Sequence, residues 1–86
     1  MAIAGKDYDR LESLEELMEA IDMRLDIEFN LYGKRYNIST DGTPFIALCP
    51  DGDGDYYSDA KDMVENHKID GKPLKDIWRD FEILAM

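Results

Sequence analysis

Cysteine, histidine and positive charge are all scarce in this chain, and each scarcity removes a class of answer. Of 86 residues one is cysteine and one is histidine. A lone cysteine cannot close an internal disulfide, which fits a reducing compartment, and a lone histidine excludes any metal centre built on two imidazoles. Lysine and arginine together number 10 against 20 aspartates and glutamates, a formal net charge of −10. A surface of that sign repels DNA, RNA and anionic lipid, so direct binding to nucleic acid or to a membrane is not expected, and a basic protein partner or a cation fits better. No apolar run approaches the roughly 20 residues that span a bilayer. The first residues, Met-Ala-Ile-Ala-Gly-Lys-Asp, lack the apolar core of a signal peptide, and the expectation is a cytoplasmic protein.

Enzyme chemistry is short of parts as well. A thiol nucleophile would need Cys49 exposed and within hydrogen-bond reach of His67, yet Cys49 falls in a strand-like run whose alternation turns it inward. It is expected to be buried and inert, with His67 half-buried near the end of a helix. There is no Gly-x-Gly-x-x-Gly run and no phosphate-loop lysine, and Gly52 and Gly54 are flanked by aspartates that repel phosphate. The reading is non-catalytic, with no cofactor other than a possible calcium ion.

What is present describes a folded domain. At 44% hydrophobic and 35% charged residues, the chain can bury a core despite its charge, and 86 residues suit one small domain over 1–86 rather than two. No internal repeat, low-complexity stretch or linker interrupts it. After an irregular lead-in of twelve residues, Ser13 and Glu16 form a capping box. Leu14, Leu17, Met18, Ile21 and Leu25 then recur at helical spacing.

From Ile27 the period changes to two, with Ile27, Phe29 and Leu31 on one face. A two-residue turn at Gly33-Lys34 pairs Leu31 with Tyr36 and Phe29 with Ile38. A second at Asp41-Gly42 pairs Thr40 with Thr43 and Ile38 with Phe45, carrying Ala47 and Cys49 inward and turning Ile46 and Leu48 outward. Ser58 caps a short helix with Ala60, Met63, Val64 and His67 on one side. Asp70-Gly71 stops it, and Pro73 opens a last helix bearing Leu74, Ile77, Trp78 and Phe81. The predicted fold is α+β in the order αβββαα: an N-terminal helix, a three-stranded antiparallel meander and two short C-terminal helices.

Two features carry functional expectations. Asp51, Asp53, Asp55, Asp59 and Asp62 fall at positions 1, 3, 5, 9 and 12 of an EF-hand-like calcium loop, a pattern that serves a hard cation seeking about six to eight oxygens. Against it stand Tyr56, where glycine makes the sharp turn, Ser58, where an apolar residue packs, and an aspartate at position 12. A weak calcium-binding module is therefore an alternative to a solvated turn.

The second feature is a stripe of carboxylates, Glu12, Glu15, Glu16, Glu19, Asp22 and Asp26, opposite the apolar stripe of the first helix. Neighbours at helical spacing lie about 5 to 6 Å apart, so the stripe is either an ordinary solvated face or an imitation of nucleic acid that inhibits a DNA-binding protein. Ile46 and Leu48, if left exposed beside Tyr32, would add an apolar patch suited to a protein contact or a homodimer. Coverage of that face by the chain's own helices is the favoured expectation, because small domains rarely leave large patches bare. The leading expectation is an acidic cytoplasmic protein-interaction domain that meets its partner through the helix stripe or the Ile46/Leu48 side.

Overall fold

A computed structural model describes residues 10–49 and 52–86. Helix α1 (Leu14–Asp22) begins where the capping box puts it, the Ser13 hydroxyl accepting the Glu16 amide at 3.1 Å. The Glu16 carboxylate reaches back past the cap to the Glu12 amide, 2.7 Å away. Leu17, Ala20 and Ile21 supply its buried side. The helix stops before Leu25 because Arg24 adopts a φ of 64°, a left-handed conformation that a continuing helix does not allow. Leu25 and Asp26 therefore lie beyond the helix, a correction to the expected stripe, and the irregular lead-in expected before Ser13 falls mostly outside the described residues.

Strands β1 (Ile27–Leu31), β2 (Lys34–Asp41) and β3 (Thr43–Leu48) form the antiparallel meander. The first turn is Tyr32-Gly33 rather than Gly33-Lys34, with φ of 52° and 80°, positive at both central positions as a type I′ turn requires. The Tyr32 hydroxyl donates to Asp80 at 2.7 Å, tethering that turn. Phe29 consequently faces Tyr36, and Ile27 faces Ile38. This register differs from the expected one by two residues, which leaves every side chain on its expected face.

The second hairpin differs by one residue, and that reverses a strand. Gly42 alone occupies the bend at φ 79°, Thr40 faces Pro44, and Ile38 faces Ile46. Because side chains alternate with a period of two, a one-residue slip exchanges the faces. Ile46 is core at 1% exposure and Leu48 follows it on the same side, whereas Phe45 and Ala47 face outward. The expected outward turn of Ile46 and Leu48 is thereby overturned, although Leu48, at the end of the strand, stays 38% exposed.

The remaining elements depart from αβββαα. Two residues of the aspartate loop form a short edge strand, β4 (Asp55–Tyr56), antiparallel to β3. Helix α2 (Ala60–Asn66) is capped by Asp59, not Ser58. The Asp59 carboxylate accepts the Asp62 amide at 2.8 Å, while the Ser58 amide donates to Asp62. Asp70-Gly71, with φ of 55° and 82°, turns a small hairpin between β5 (Lys68–Ile69) and β6 (Lys72–Pro73).

The expected last helix is only α3 (Leu74–Ile77) and a 3-10 turn (Trp78–Asp80). The backbone then extends at Phe81, and β7 (Glu82–Ala85) pairs antiparallel with β1. The result is an α+β domain with three α-helices among the described residues and a five-stranded sheet ordered β4-β3-β2-β1-β7. None of these helices is long and apolar enough to cross a membrane.

One core joins the layers. Ile27, Phe29, Leu31, Tyr36, Ile38, Ile46 and Ile83 from the sheet meet Leu17, Ile21, Met63, Val64, Leu74 and Ile77 from the helices. Phe29 lies at its centre, stacked on Phe81 with ring centroids 4.0 Å apart and on Tyr36 at 5.4 Å. Aromatic pairs of this kind add about 0.5–1.5 kcal/mol beyond the area they bury.

The register makes a direct test. Ile46→Ala should cost about 2–5 kcal/mol in urea unfolding because it opens a cavity in the core, and Phe45→Ala should cost clearly less. The expected sequence register gives the opposite ranking.

Candidate interaction surface

The helices pack on one side of the sheet, and among the described residues nothing buries the other. That open face carries Glu28 and Asn30 of β1, Arg35, Asn37 and Ser39 of β2, Phe45 and Ala47 of β3, Tyr56 of β4, and Glu82 and Leu84 of β7; none is buried. Its two halves differ in chemistry. Over β2, β1 and β7, polar side chains satisfy one another across strands. Arg35 Nη2 pairs with Glu28 Oε2 at 3.1 Å, Asn30 donates to Glu82 at 3.3 Å, and Ser39 donates to Asp26. Exposed pairs of this kind contribute little to stability. At the Glu28 end a shallow depression of about 420 Å³ is lined by Asp26, Glu28, Asn37, Cys49 and Ala85. Cys49 is half-buried there, on the outer side, where the one-residue slip of β3 has carried it. The expectation of an inward, buried thiol is corrected accordingly.

Over β3 and β4 the face is aromatic. Phe45 and Tyr56 are directly opposed across the strands with ring centroids 5.2 Å apart, and Tyr56 remains 57% exposed. An exposed tyrosine next to a phenylalanine offers rigid contact area at small entropic cost, the composition that anchors many protein contacts.

The aspartate run folds in the service of this half. The Gly52 amide donates to the Leu48 carbonyl at 2.7 Å, and a Cβ at Gly52 would stand 2.5 Å from that oxygen. A Cβ at Gly54 would stand 3.2 Å from the Phe45 ring. The two glycines thus let the loop lie close against β3, a steric demand that the alternation Asp-Gly-Asp-Gly meets without reference to a cation. Of the five expected ligands, Asp51 lies outside the described residues. Asp53 is exposed in the loop before β4, Asp55 is in β4, and Asp59 and Asp62 are engaged at the start of α2. Asp62 also accepts from the Ser58 hydroxyl and Asn66, and the Ser58 amide is the largest of the contacts that hold its carboxyl below the usual aspartate value. Among the described residues no three His, Cys, Asp or Glu side chains gather where they could hold a metal ion.

The carboxylates expected to act as a stripe divide in the same way. Glu15 and Glu19 are exposed on α1 and Glu12 just before it, whereas Glu16 is spent on the Glu12 amide and Asp22 accepts the Ala60 amide at 3.2 Å, joining α1 to α2. Asp26 belongs to the entry of β1, against Ser39.

The inward side of β4 holds a group that sequence reasoning located but could not partner. His67 caps the end of α2 with a side chain only 13% exposed; its Nδ1 lies 2.9 Å from the Tyr57 hydroxyl and 3.6 Å from Asp55 Oδ2. Burial lowers its pKa below the ordinary 6.5, and the Asp55 carboxylate opposes that shift. Cys49 and His67 lie on opposite sides of the sheet, so the thiol and imidazole do not form a pair. No protein-family model matches the chain, and no similar curated protein or solved structure is found.

A histidine whose folded pKa is depressed binds its proton more readily when unfolded. Its contribution to stability is complete above about pH 6.5 and is lost as the pH falls through that value towards the lower folded one. Melting between pH 7.5 and pH 5, with a slope judged by the linkage relation, should show this loss. His67→Asn should flatten the profile over that window, and Asp55→Asn, which removes the opposing charge, should steepen it.

Proposed function

We propose that this chain is a non-catalytic, acidic protein-interaction domain whose contact surface is the open face of the sheet, centred on Phe45 and Tyr56, and whose partner is basic. The observation that carries the reading is a sheet face that none of the described residues buries, on which the exposed Tyr56 and the half-buried Phe45 adjoin carboxylates. Charge determines the kind of partner. Asp26, Glu28 and Glu82 on or beside the face, within a chain of net charge −10, speed encounter with a cationic surface and oppose an acidic one. The aromatic pair supplies the short-range affinity that exposed charges alone do not.

Glu12, Glu15 and Glu19 extend the negative field along α1 and support steering of that partner. Imitation of nucleic acid draws less support, because the six expected carboxylates do not share one helix: Asp22 and Glu16 serve local hydrogen bonds and Asp26 lies in the strand entry. Calcium binding draws less for the related reason that Asp59 and Asp62 serve as helix-cap acceptors.

Capture from host extract on immobilised domain tests the proposal. A partner retained at about 0.05 M salt should be released by about 0.5 M, where the screening length is much shorter. Tyr56→Ala should weaken retention at least about tenfold, the range of an interface anchor. Retention indifferent to both salt and Tyr56 would refute this reading.

A further inference from the structure

The strand that presents Tyr56 is the shortest of the five in its sheet. It is two residues long and lies at one edge, with β3 as its only strand neighbour among the described residues. Its alternation sends Tyr56 outward to Phe45, while Asp55, opposite the buried Ile46, turns to the helix side and Tyr57 packs against the core.

The chain on either side is anchored independently of the strand. Upstream, the Gly52 amide is held by the Leu48 carbonyl; downstream, Ser58 is held by Asp62 through both its amide and its hydroxyl. Between these anchors the segment is fastened by its short ladder to β3, by the Tyr57 amide donating to the Pro44 carbonyl at 2.9 Å, and by the hydrogen bond between the Tyr57 hydroxyl and His67 Nδ1, with Asp55 Oδ2 a longer 3.6 Å from the same nitrogen. The rings of Tyr57 and His67 also meet edge to face at 5.7 Å. A short edge segment with two fixed ends and few fastenings opens at lower free energy than the strands beside it.

Resting on the reading of the open face as a contact surface, we propose that residues 53–57 form a strap latched from the helix side by the Tyr57–His67 hydrogen bond. His67 is then a positioning residue, which keeps Tyr56 beside Phe45 on the face that meets the partner. The latch lies on the opposite side of the sheet from the surface it arranges, so it acts without touching a ligand. Closed, the strap presents the aromatic pair ready-made, which spares the ordering cost that binding to a loose segment would carry. Open, it removes Tyr56 from the surface and leaves Phe45 alone.

Amide hydrogen exchange and ring-to-ring nuclear Overhauser contacts, both read on the free domain, test the latch without a partner. Tyr57→Phe removes the hydroxyl and keeps the ring; it should speed exchange of the residue-57 amide about fivefold, the worth of one neutral hydrogen bond, and leave the Ile38 amide unchanged. The Phe45–Tyr56 ring contact should weaken in step. His67→Leu should act like Tyr57→Phe, whereas His67→Asn, which keeps an acceptor near the position of Nδ1, should restore wild-type exchange. Unchanged exchange at residue 57, or equal acceleration at residue 57 and Ile38, overturns the latch, as does a failure of His67→Asn to differ from His67→Leu. Variants that open the strap yet retain the partner as the wild type does overturn the positioning role and leave the interaction reading standing. A wild-type domain that retains no partner contradicts the interaction reading, and with it the role in binding, while the exchange data still judge the latch.

Discussion

The stack of Tyr36, Phe29 and Phe81 is the contact on which the rest of the domain depends. Phe29 sits on β1, the strand between β2 and β7, so its two faces join the first hairpin to the C-terminal turn. Phe81, fully buried, is where the chain leaves the 3-10 turn and extends into β7. Fixing Phe29 on the helix side decides the orientation of every residue of β1, and through the pairings of Phe29 with Tyr36 and of Ile38 with Ile46 it decides β2 and β3 as well.

A sheet with all its described helices on one side must leave its other face to other solutions. Across β2, β1 and β7 the solution is a set of mutually satisfied polar side chains, normal for the solvated face of an antiparallel sheet. Across β3 and β4 it is an exposed Tyr56 beside a half-buried Phe45, which solvation alone does not explain. The proposed function lives on that difference. The strap is its counterpart on the helix side, since the same short strand that displays Tyr56 outward is fastened inward through Tyr57 and His67.

Much of this was legible in the residues, and the misreadings have physical causes. The start of α1 was readable because Ser13 and Glu16 act locally; its end was not, because nothing in Arg24 announces a left-handed residue. The first hairpin kept its faces although its turn was misplaced, since the error was even. The second lost them because the error was odd, and with them went the orientation of Phe45, Ile46 and Cys49. Pro44, buried opposite Thr40, was a signal that could have weighed against the expected register. Strand β7 was hidden by Leu74, Ile77 and Phe81, whose spacing suits a helix but which are buried equally well by a short helix, a 3-10 turn and a strand. The Asp-Gly-Asp-Gly run drew attention for its carboxylates, whereas its glycines carry the steric constraint, visible only once Leu48 and Phe45 are in place beneath them.

Among the described residues the sheet has one sealed face and one open face, with Phe45 and Tyr56 on the open one. Proton spectra recorded with a soluble gadolinium chelate measure this most directly, because broadening falls steeply with distance from solvent. The Phe45 and Tyr56 rings should broaden strongly, with Phe29, Ile38 and Ile46 protected. Broadening of the Ile46 methyls with a protected Phe45 ring would contradict it.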